Sequence, residues 1–409
     1  MTSAQLYYVI NLLIYAGVDI IACLGLSQQF GVAGVTNFGF IIFQAAGAYT
    51  AAILSLPSQA ANGGFQSYLG GWNLPFPVPW IGAAIVGGLV ALPFTFLVGR
   101  RLRGDFAAVG LLVTAVMANL LATNYRPLLN GAAGLSLVPA PLQGEYNPLS
   151  PGYQWLYAAV TLVLAAAVFW LVRRVTESPY GRSLRAMRDN DAVADSLGKN
   201  LLSLRTAMLV LGGALAGLSG AILVGFINTW APSAWGYAET IVLFAAVIIG
   251  GAGNHRGAVL GAILVPVAFE EVTRYIPGKP GLVDDLQWVA IGLLIVIFLW
   301  FRPQGVLPER RRRTAVGRPR SVMPNEDVVT LVGTGRERGR SVAARSVPAP
   351  ALPDGGPLLR AVDLTRDFGG VHAVAGVSIE VRRGTLTGLI GPNGPASRRC
   401  WRCWPAPSR

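Results

Sequence analysis

The sequence predicts an all-α polytopic membrane protein of about eight to ten transmembrane helices, followed by a disordered linker and a short β-rich segment. Of the 409 residues, 53% are hydrophobic and 13% are charged, whereas soluble domains carry roughly 25% charged residues. Apolar runs of membrane-spanning length fill residues 5–301, and most of the arginines lie outside them. The net charge of +13 then reflects basic loops on one side of a bilayer. We therefore expect a lipid bilayer as partner and no nucleic acid.

The apolar runs predict nine spans, at 5–27, 33–55, 80–99, 106–123, 154–172, 206–228, 238–253, 257–272 and 286–301, the last three of them short. Residues 57–79 contain no Lys or Arg, and residues 124–153 contain only Arg126. By contrast, the loop 173–205 and the tail after residue 302 are rich in Arg. The positive-inside rule places the basic loops and the C-terminal tail in the cytoplasm and the N-terminus outside. The predicted location is the plasma (inner) membrane, as a multi-pass protein.

The spans are rich in Gly and Ala, as in "LGGALAGLSGAIL" at residues 211–223. Small residues let helices approach closely inside a membrane. Pairs such as Gly250-Gly251 also occur in broken helices that line a transport path. Both interpretations stay open from the sequence.

The loop after the fifth span predicts a short surface helix. Pro179 and Gly181 break the chain, and Gly198 ends the helix as a C-cap would. Between them, one side of the helix is apolar and the other is charged; the apolar positions are Leu184, Met187, Val193 and Leu197. Such a helix is suited to a groove on a cytoplasmic partner, or to lying on the lipid surface.

This loop resembles the coupling helix of ABC importer permeases of the branched-chain amino-acid (hydrophobic amino acid uptake) family. The matching residues are Pro179, Gly181, Arg182, Leu184, Ala186, Arg188, Asn190, Ala194 and Gly198, with Asp189 and Asp191 for the acids. "AGVTNFGFIIFQAAGAYTAAIL" (33–54) and "RPQGVLP" (302–308) match further family segments, in the family's order. The resemblance implies that ATPase subunits are coupled through Gly181, Arg182, Arg185, Arg188, Asp189, Asn190, Asp191 and Gly198.

The resemblance also implies partners: a second permease subunit, two ABC ATPase subunits and an extracytoplasmic substrate-binding protein. ATP and Mg would then bind to the ATPase subunits, and this chain would bind no cofactor and no metal. The implied function is the uptake of amino acids, with branched-chain amino acids favoured. A related permease for urea or another small polar solute, or a passive channel, are the alternatives.

Some positions depart from the family pattern. Asn37 stands where the family usually has Ser, Phe40 stands where it often has His, and Gln28-Gln29 replace Asn-Leu. These residues lie on early spans that could touch a transport path. Asp19 is an acid within the first span, which indicates either a functional site or a residue at the membrane interface. The candidate path residues are Asp19, Asn37, Phe40, Gly47, Gly250 and Gly251.

The chain changes character after the last span. We expect the permease domain to cover residues 1–302 and a flexible cytoplasmic linker to cover 303–357, where no apolar periodicity survives. Residues 358–394 show strand-like alternation and resemble the N-terminus of the partner ABC ATPase, here truncated. The resemblance marks a nucleotide-binding remnant at Phe368, Gly391, Asn393 and Gly394.

This remnant lacks the groups that a phosphate loop needs. Such a loop requires a further Gly, a Lys that reaches the phosphates and a Ser or Thr for Mg²⁺. Ala396, Ser397 and Arg398 stand at those positions. We therefore expect that this chain is not an enzyme and does not hydrolyse ATP.

Residues 395–409 are predicted to be an out-of-frame tail. One set of codons for residues 395–405 encodes Ala-Gly-Lys-Ser-Thr-Leu-Leu-Ala-Leu-Leu-Ala when a single G is added after the Gly394 codon. That sequence completes a phosphate loop and the helix after it. The tail would come from a mutation or from a reading error, and DNA resequencing across codons 385–409 with an intact mass separates the two. A further base and a mass above that of the 409-residue chain would indicate a reading error and a longer product, whereas an unchanged sequence would leave residues 358–409 as a relic.

Overall fold

A computed structural model describes residues 3–59, 63–100, 104–143, 146–148, 150–269, 282–309, 357–368 and 371–382. The chain divides into two compact units, Met1–Ala315 and Val316–Arg409. The first unit is helical and the second contains a β-hairpin. Each is described by itself.

The helices of the first unit are α1 (Ser3–Ser27), α2 (Ile41–Ser55), α3 (Val78–Arg100), α4 (Gly104–Asn124), α5 (Arg126–Leu129), α6 (Pro151–Glu177), α7 (Pro179–Asp189), α8 (Asp191–Ser196), α9 (Leu201–Ile227), α10 (Tyr237–Gly250), α11 (His255–Ala262) and α12 (Leu282–Phe301). Helix α1 continues as a π-helical turn over Gln28–Val32, and α11 continues likewise over Ile263–Phe269. Short 3₁₀ turns cover Gly131–Ala133 and Pro232–Trp235.

Within the described residues, six helices are long and apolar enough to cross a membrane, and three shorter apolar helices cover Ile41–Ser55, His255–Phe269 and Leu286–Phe301. A helix lies in each of the nine predicted spans, which confirms a multi-pass membrane protein. The prediction was wrong about the second span, which begins at Ile41 and not at residue 33. Gly34 has φ +71°, and the Asn37 side chain accepts a hydrogen bond from the Gly39 N–H. These residues interrupt the helix.

Helix α9 packs against α1, α2 and α3, and its glycines make this close approach possible. A Cβ atom on Gly217 would overlap the Ala83 carbonyl of α3, and one on Gly220 would overlap the Gln44 carbonyl of α2. Gly47 of α2 lies directly against the backbone of Gly217. At these positions the glycines therefore serve helix packing, one of the two interpretations that the sequence left open.

The loops separate into two ends of the bundle. At one end, backbone bridges join Tyr68 to Leu129 and Leu135 to Trp230, so the segments that are poor in Lys and Arg lie together. At the other end, Arg188 contacts Glu309, and the turn after α10 packs against the segment after α12. We call these the loop end and the basic end. The separation agrees with the alternation of charge along the sequence.

The second unit contains β1 (Pro357–Phe368) and β2 (Val371–Arg382), which pair antiparallel. They cover most of residues 358–382 of the segment with predicted strand-like alternation, and residues 383–394 lie outside the described residues. Phe368 is the last residue of β1, whereas Gly391, Asn393 and Gly394 lie outside the described residues. The same holds for residues 310–356 of the predicted linker and for the tail 395–409. The ATPase fragment therefore stays a prediction.

Replacing Gly217 with Ala tests the packing of α9. The added Cβ meets the backbone of α3, and overpacking of this kind costs about 1–3 kcal/mol. We expect a lower Tm for the detergent-solubilised protein, measured by intrinsic fluorescence. Gly292→Ala is the matched control, because a Cβ atom there meets nothing within 4 Å. Equal Tm values for the two variants would contradict the packing argument.

Candidate functional site

The candidate coupling segment begins with a tight turn between α6 and α7. The Ser178 Oγ atom accepts a hydrogen bond from the Gly181 N–H at 3.3 Å, and Pro179 occupies the first helical turn, where a missing N–H costs little. A Cβ atom on Gly181 would overlap the Thr176 carbonyl group. Gly181 therefore lets α7 leave α6 without a connecting loop.

The segment forms two helices and not the one helix that the sequence predicts. Asn190 is extended, with φ −160° and ψ 106°, and its side chain accepts a hydrogen bond from the Val193 N–H at 3.1 Å. An Asn that caps a new helix in this way ends the preceding one. The predicted apolar face is consequently split. Leu184 and Met187 of α7 are buried, while Val193 and Leu197 are 53% and 71% exposed.

Gly198 ends α8 as the sequence predicts. It has φ +75°, and its N–H donates to the Asp195 carbonyl at 2.8 Å. The Lys199 N–H donates to the Ala194 carbonyl at 3.1 Å. This pair of bonds is a Schellman motif, which favours glycine at the left-handed position. The Asn200 side chain then caps α9.

Four charged coupling residues bond within the chain. The Arg185 Nη1 atom donates to the Thr176 carbonyl at 3.2 Å. The Arg188 side chain is 21% exposed, and its guanidinium donates to the Gly31 carbonyl and lies 2.8 Å from a Glu309 carboxylate oxygen. Asp189 lies 3.6 Å from Arg188 Nε, and Asp191 forms an ion pair with Arg205 of α9. Arg185, Arg188 and Asp191 attach α7 and α8 to the bundle.

The remaining residues leave an exposed surface of mixed chemistry, which we call the coupling surface. Its side chains are Tyr180, Arg182, Asp189, Asn190, Val193 and Leu197. Partial burial raises the pKa of the Tyr180 phenol, so this group stays neutral at physiological pH. The surface therefore combines a phenol, one cation, one anion, an amide and two aliphatic groups, and Asp195 and Lys199 are exposed beside it.

The segment Arg302–Glu309, which we call the exit segment, is fixed against the turn between α10 and α11. The Val306 N–H donates to the Ile249 carbonyl at 2.8 Å, and the Leu307 N–H donates to the Gly250 carbonyl at 3.0 Å. Gly251, at φ +123°, lies against the Leu307 backbone. Gly250 and Gly251, two of the candidate path residues, thus form a packed turn at the basic end. The packed chain extends past residue 302, where the sequence placed the domain boundary.

A buried polar network holds the interruption between α1 and α2. The Asn37 Nδ2 atom donates to the Gln29 Oε1 atom at 2.8 Å, and the Gln29 Nε2 atom donates to the Leu209 carbonyl of α9 at 3.1 Å. The Asn37 Oδ1 atom accepts from the Gly39 N–H at 3.1 Å. Both side chains are 0% exposed. Two positions that depart from the family pattern therefore bond to each other.

The other candidate path residues are dispersed. Asp19 lies within α1, and Phe40 is fully buried at the start of α2. A cavity of about 400 Å³ opens at the loop end, and none of the six candidates lines it. In the part of the chain that the structure describes, no group of three or more His, Cys, Asp or Glu side chains could hold a metal ion. The path assignments stay predictions.

The comparisons with known proteins agree with this architecture. Residues 8–299 match the family described as "Branched-chain amino acid transport system / permease component". The chain belongs to this family. Its predicted class, an importer permease of the branched-chain amino-acid type, is thereby confirmed.

Individual relatives cover most of the chain. The "Probable branched-chain amino acid transport permease protein LivM" of Methanocaldococcus jannaschii is 26% identical over 326 residues, covering 73% of this chain and 93% of that protein. The high-affinity permease protein LivM of Escherichia coli K12 is also 26% identical, covering 71% of this chain and 68% of its own. The corresponding LivH of E. coli K12 is 22% identical over 291 residues, which cover 69% of this chain and 89% of LivH. No solved structure matches.

Replacing Asn37 with Ala tests the polar network. The change leaves the Gly39 N–H without its side-chain acceptor and the Gln29 Oε1 atom without its donor, which costs about 1–3 kcal/mol for a buried group. We expect a lower Tm in detergent. Asn124→Ala, at the exposed end of α4, is the control and should keep the native Tm. A native Tm for Asn37→Ala would show that the network does not stabilise the fold.

Proposed function

We propose that this chain is the membrane permease subunit of an ABC importer that carries branched-chain amino acids across the plasma membrane. The observation that carries the proposal is the coupling surface. Leu184 and Met187 anchor α7 in the bundle, while Val193 and Leu197 project outward. Exposed aliphatic side chains beside charges of both signs fit a groove on a protein partner. Family membership supplies the class of transport.

The orientation follows from the distribution of charge. The basic end carries the Arg-rich loop 173–205, whereas the segments 57–79 and 124–153 at the loop end contain only Arg126, although Arg274 and Lys279 also fall on the outer side of the predicted topology. The positive-inside rule then supports a cytoplasmic basic end, with the N-terminus outside and the C-terminal tail in the cytoplasm. In this orientation the coupling surface faces the compartment that contains ATP.

The partners follow from this arrangement. Relatives named LivM and relatives named LivH both match the chain, which supports a second permease subunit beside it. Two ABC ATPase subunits would bind ATP and Mg, and an extracytoplasmic protein would deliver the substrate at the loop end. This chain itself would bind no cofactor and hydrolyse no ATP, because Ser397 stands in place of the phosphate-loop Lys.

The coupling step follows from how α7 is attached. When the ATPases close, they push on the coupling surface. Arg188 joins α7 to the carbonyl of Gly31, just beyond α1, and Arg205 joins the start of α8 to α9. The push is therefore passed to membrane helices and not absorbed by a loose loop. An outward- or inward-facing state is then favoured according to the nucleotide on the ATPases.

The comparisons support branched-chain amino acids over urea or another small polar solute, because the matching family and the similar permeases are named for branched-chain amino acid transport. The alternative of a passive channel does not explain why the chain has a coupling surface.

Uptake in reconstituted vesicles tests the proposal. We expect ATP-dependent uptake of labelled leucine that unlabelled valine and isoleucine compete for and that urea does not. Leu197→Glu should lower uptake about tenfold, since a charge on a central apolar contact costs about 1.4 kcal/mol or more. Val362→Glu, an equally polar change at an exposed residue of β1, is the control. Uptake without ATP, or native uptake by Leu197→Glu, would overturn the coupling role.

A further inference from the structure

The exit segment ends in a partly buried ion pair with the coupling helix. Glu309 lies 2.8 Å from Arg188, and the two side chains are 18% and 21% exposed. Solvent-exposed ion pairs contribute little to the stability of a fold. Removing one partner from a buried pair leaves an uncompensated charge, which is far more costly. The Glu309–Arg188 pair lies between these cases, and its loss should therefore be measurable.

The Arg188 guanidinium lies beside three separate backbone segments. It donates to the Gly31 carbonyl of the π-helical turn after α1. Gly253, in the turn after α10, lies close by, since a Cβ atom there would be 3.0 Å from Arg188 Nη1 and 3.1 Å from Glu309 Oε2. The third segment is the exit segment after α12, which supplies Glu309, and Asp189 of α7 lies 3.6 Å from Arg188 Nε. One guanidinium therefore bonds the segments that follow α1 and α12 and lies beside the turn that follows α10.

The Glu309 carboxylate is held in place by the backbone before it. The Asn254 Nδ2 atom donates to the Leu307 and Pro308 carbonyls, each at 3.1 Å. The exit segment also bonds to Ile249 and Gly250. Hydrogen bonds therefore fix the backbone next to Glu309, and this backbone holds the carboxylate beside Arg188.

We propose that Glu309 is a positioning residue for energy coupling. By holding the Arg188 guanidinium, it makes α7 move together with the ends of α1, α10 and α12. The planar fork of Arg suits this role, since one nitrogen bonds the Gly31 carbonyl while another bonds Glu309. The inference rests on the proposed function, in which ATPases push on the coupling surface.

The test uses the whole transporter, purified with its partner subunits through a tag on this chain and reconstituted in proteoliposomes. The quantity measured is leucine transported per ATP hydrolysed, normalised to folded complex. Glu309→Gln keeps the shape and removes the charge, and we expect the ratio to fall about tenfold while stimulated ATP hydrolysis stays within about twofold. Glu177→Gln is the control, because it breaks an ion pair with Arg173 of 3.1 Å whose partners are 47% and 51% exposed. It should keep the native ratio.

Further variants separate the possible failures. A native ratio for Glu309→Gln, or a loss confined to the yield of folded complex, would overturn the positioning role. If that variant yields no folded complex, Arg188→Lys decides, because Lys keeps the charge but lacks the fork; a native ratio would again overturn the inference. Leu197→Glu distinguishes the two proposals: if it lowers ATP-dependent uptake while Glu309→Gln keeps the native ratio, the inference fails and the proposed function stands. If Leu197→Glu keeps native uptake and Glu309→Gln keeps the native ratio, both fail.

Discussion

Backbone polar groups inside a membrane must be hydrogen-bonded by the protein itself, and this constraint shapes the first unit. The chain is not helical between Val32 and Ile41, and a buried backbone group without a hydrogen-bond partner costs about 1–3 kcal/mol. The Asn37 side chain accepts from the Gly39 N–H, and the Thr240 hydroxyl accepts from the Ile41 N–H at 3.3 Å. The interruption then fixes where α2 begins. It also leaves the Gly31 carbonyl available to Arg188 at the basic end.

Close glycine contacts join the central helices into one body. Gly217 of α9 lies against α3 and against Gly47 of α2, and Gly212 lies against Gln29 just beyond α1. Packed interiors resist gradual deformation. A push at the basic end is therefore expected to rotate or shift helices as units.

The segment 178–200 divides two tasks between two helices. Its inner side chains, Leu184 and Met187, and its bonded cations fix it to the bundle. Its outer side chains, including Leu197, remain available to a partner. The break at Asn190 allows this division, because α8 can present a different face from α7. The family match and the permease relatives place this segment in a permease of the branched-chain amino acid transport family.

The sequence by itself determined the membrane class, the order of the spans, the difference in basic charge between the two ends and the end of the surface helix at Gly198. These features depend on hydropathy, charge and local backbone preference, which neighbouring residues encode. The N-cap preference of Asn190 was a local signal for the helix break, although the longer apolar pattern obscured it. Only the tertiary structure decided the packing contacts of Gly47, Gly250 and Gly251 and the pairing of Arg188 with Glu309. Those roles depend on which backbone lies opposite each residue, and contacts between residues far apart in the chain arise only when the helices pack.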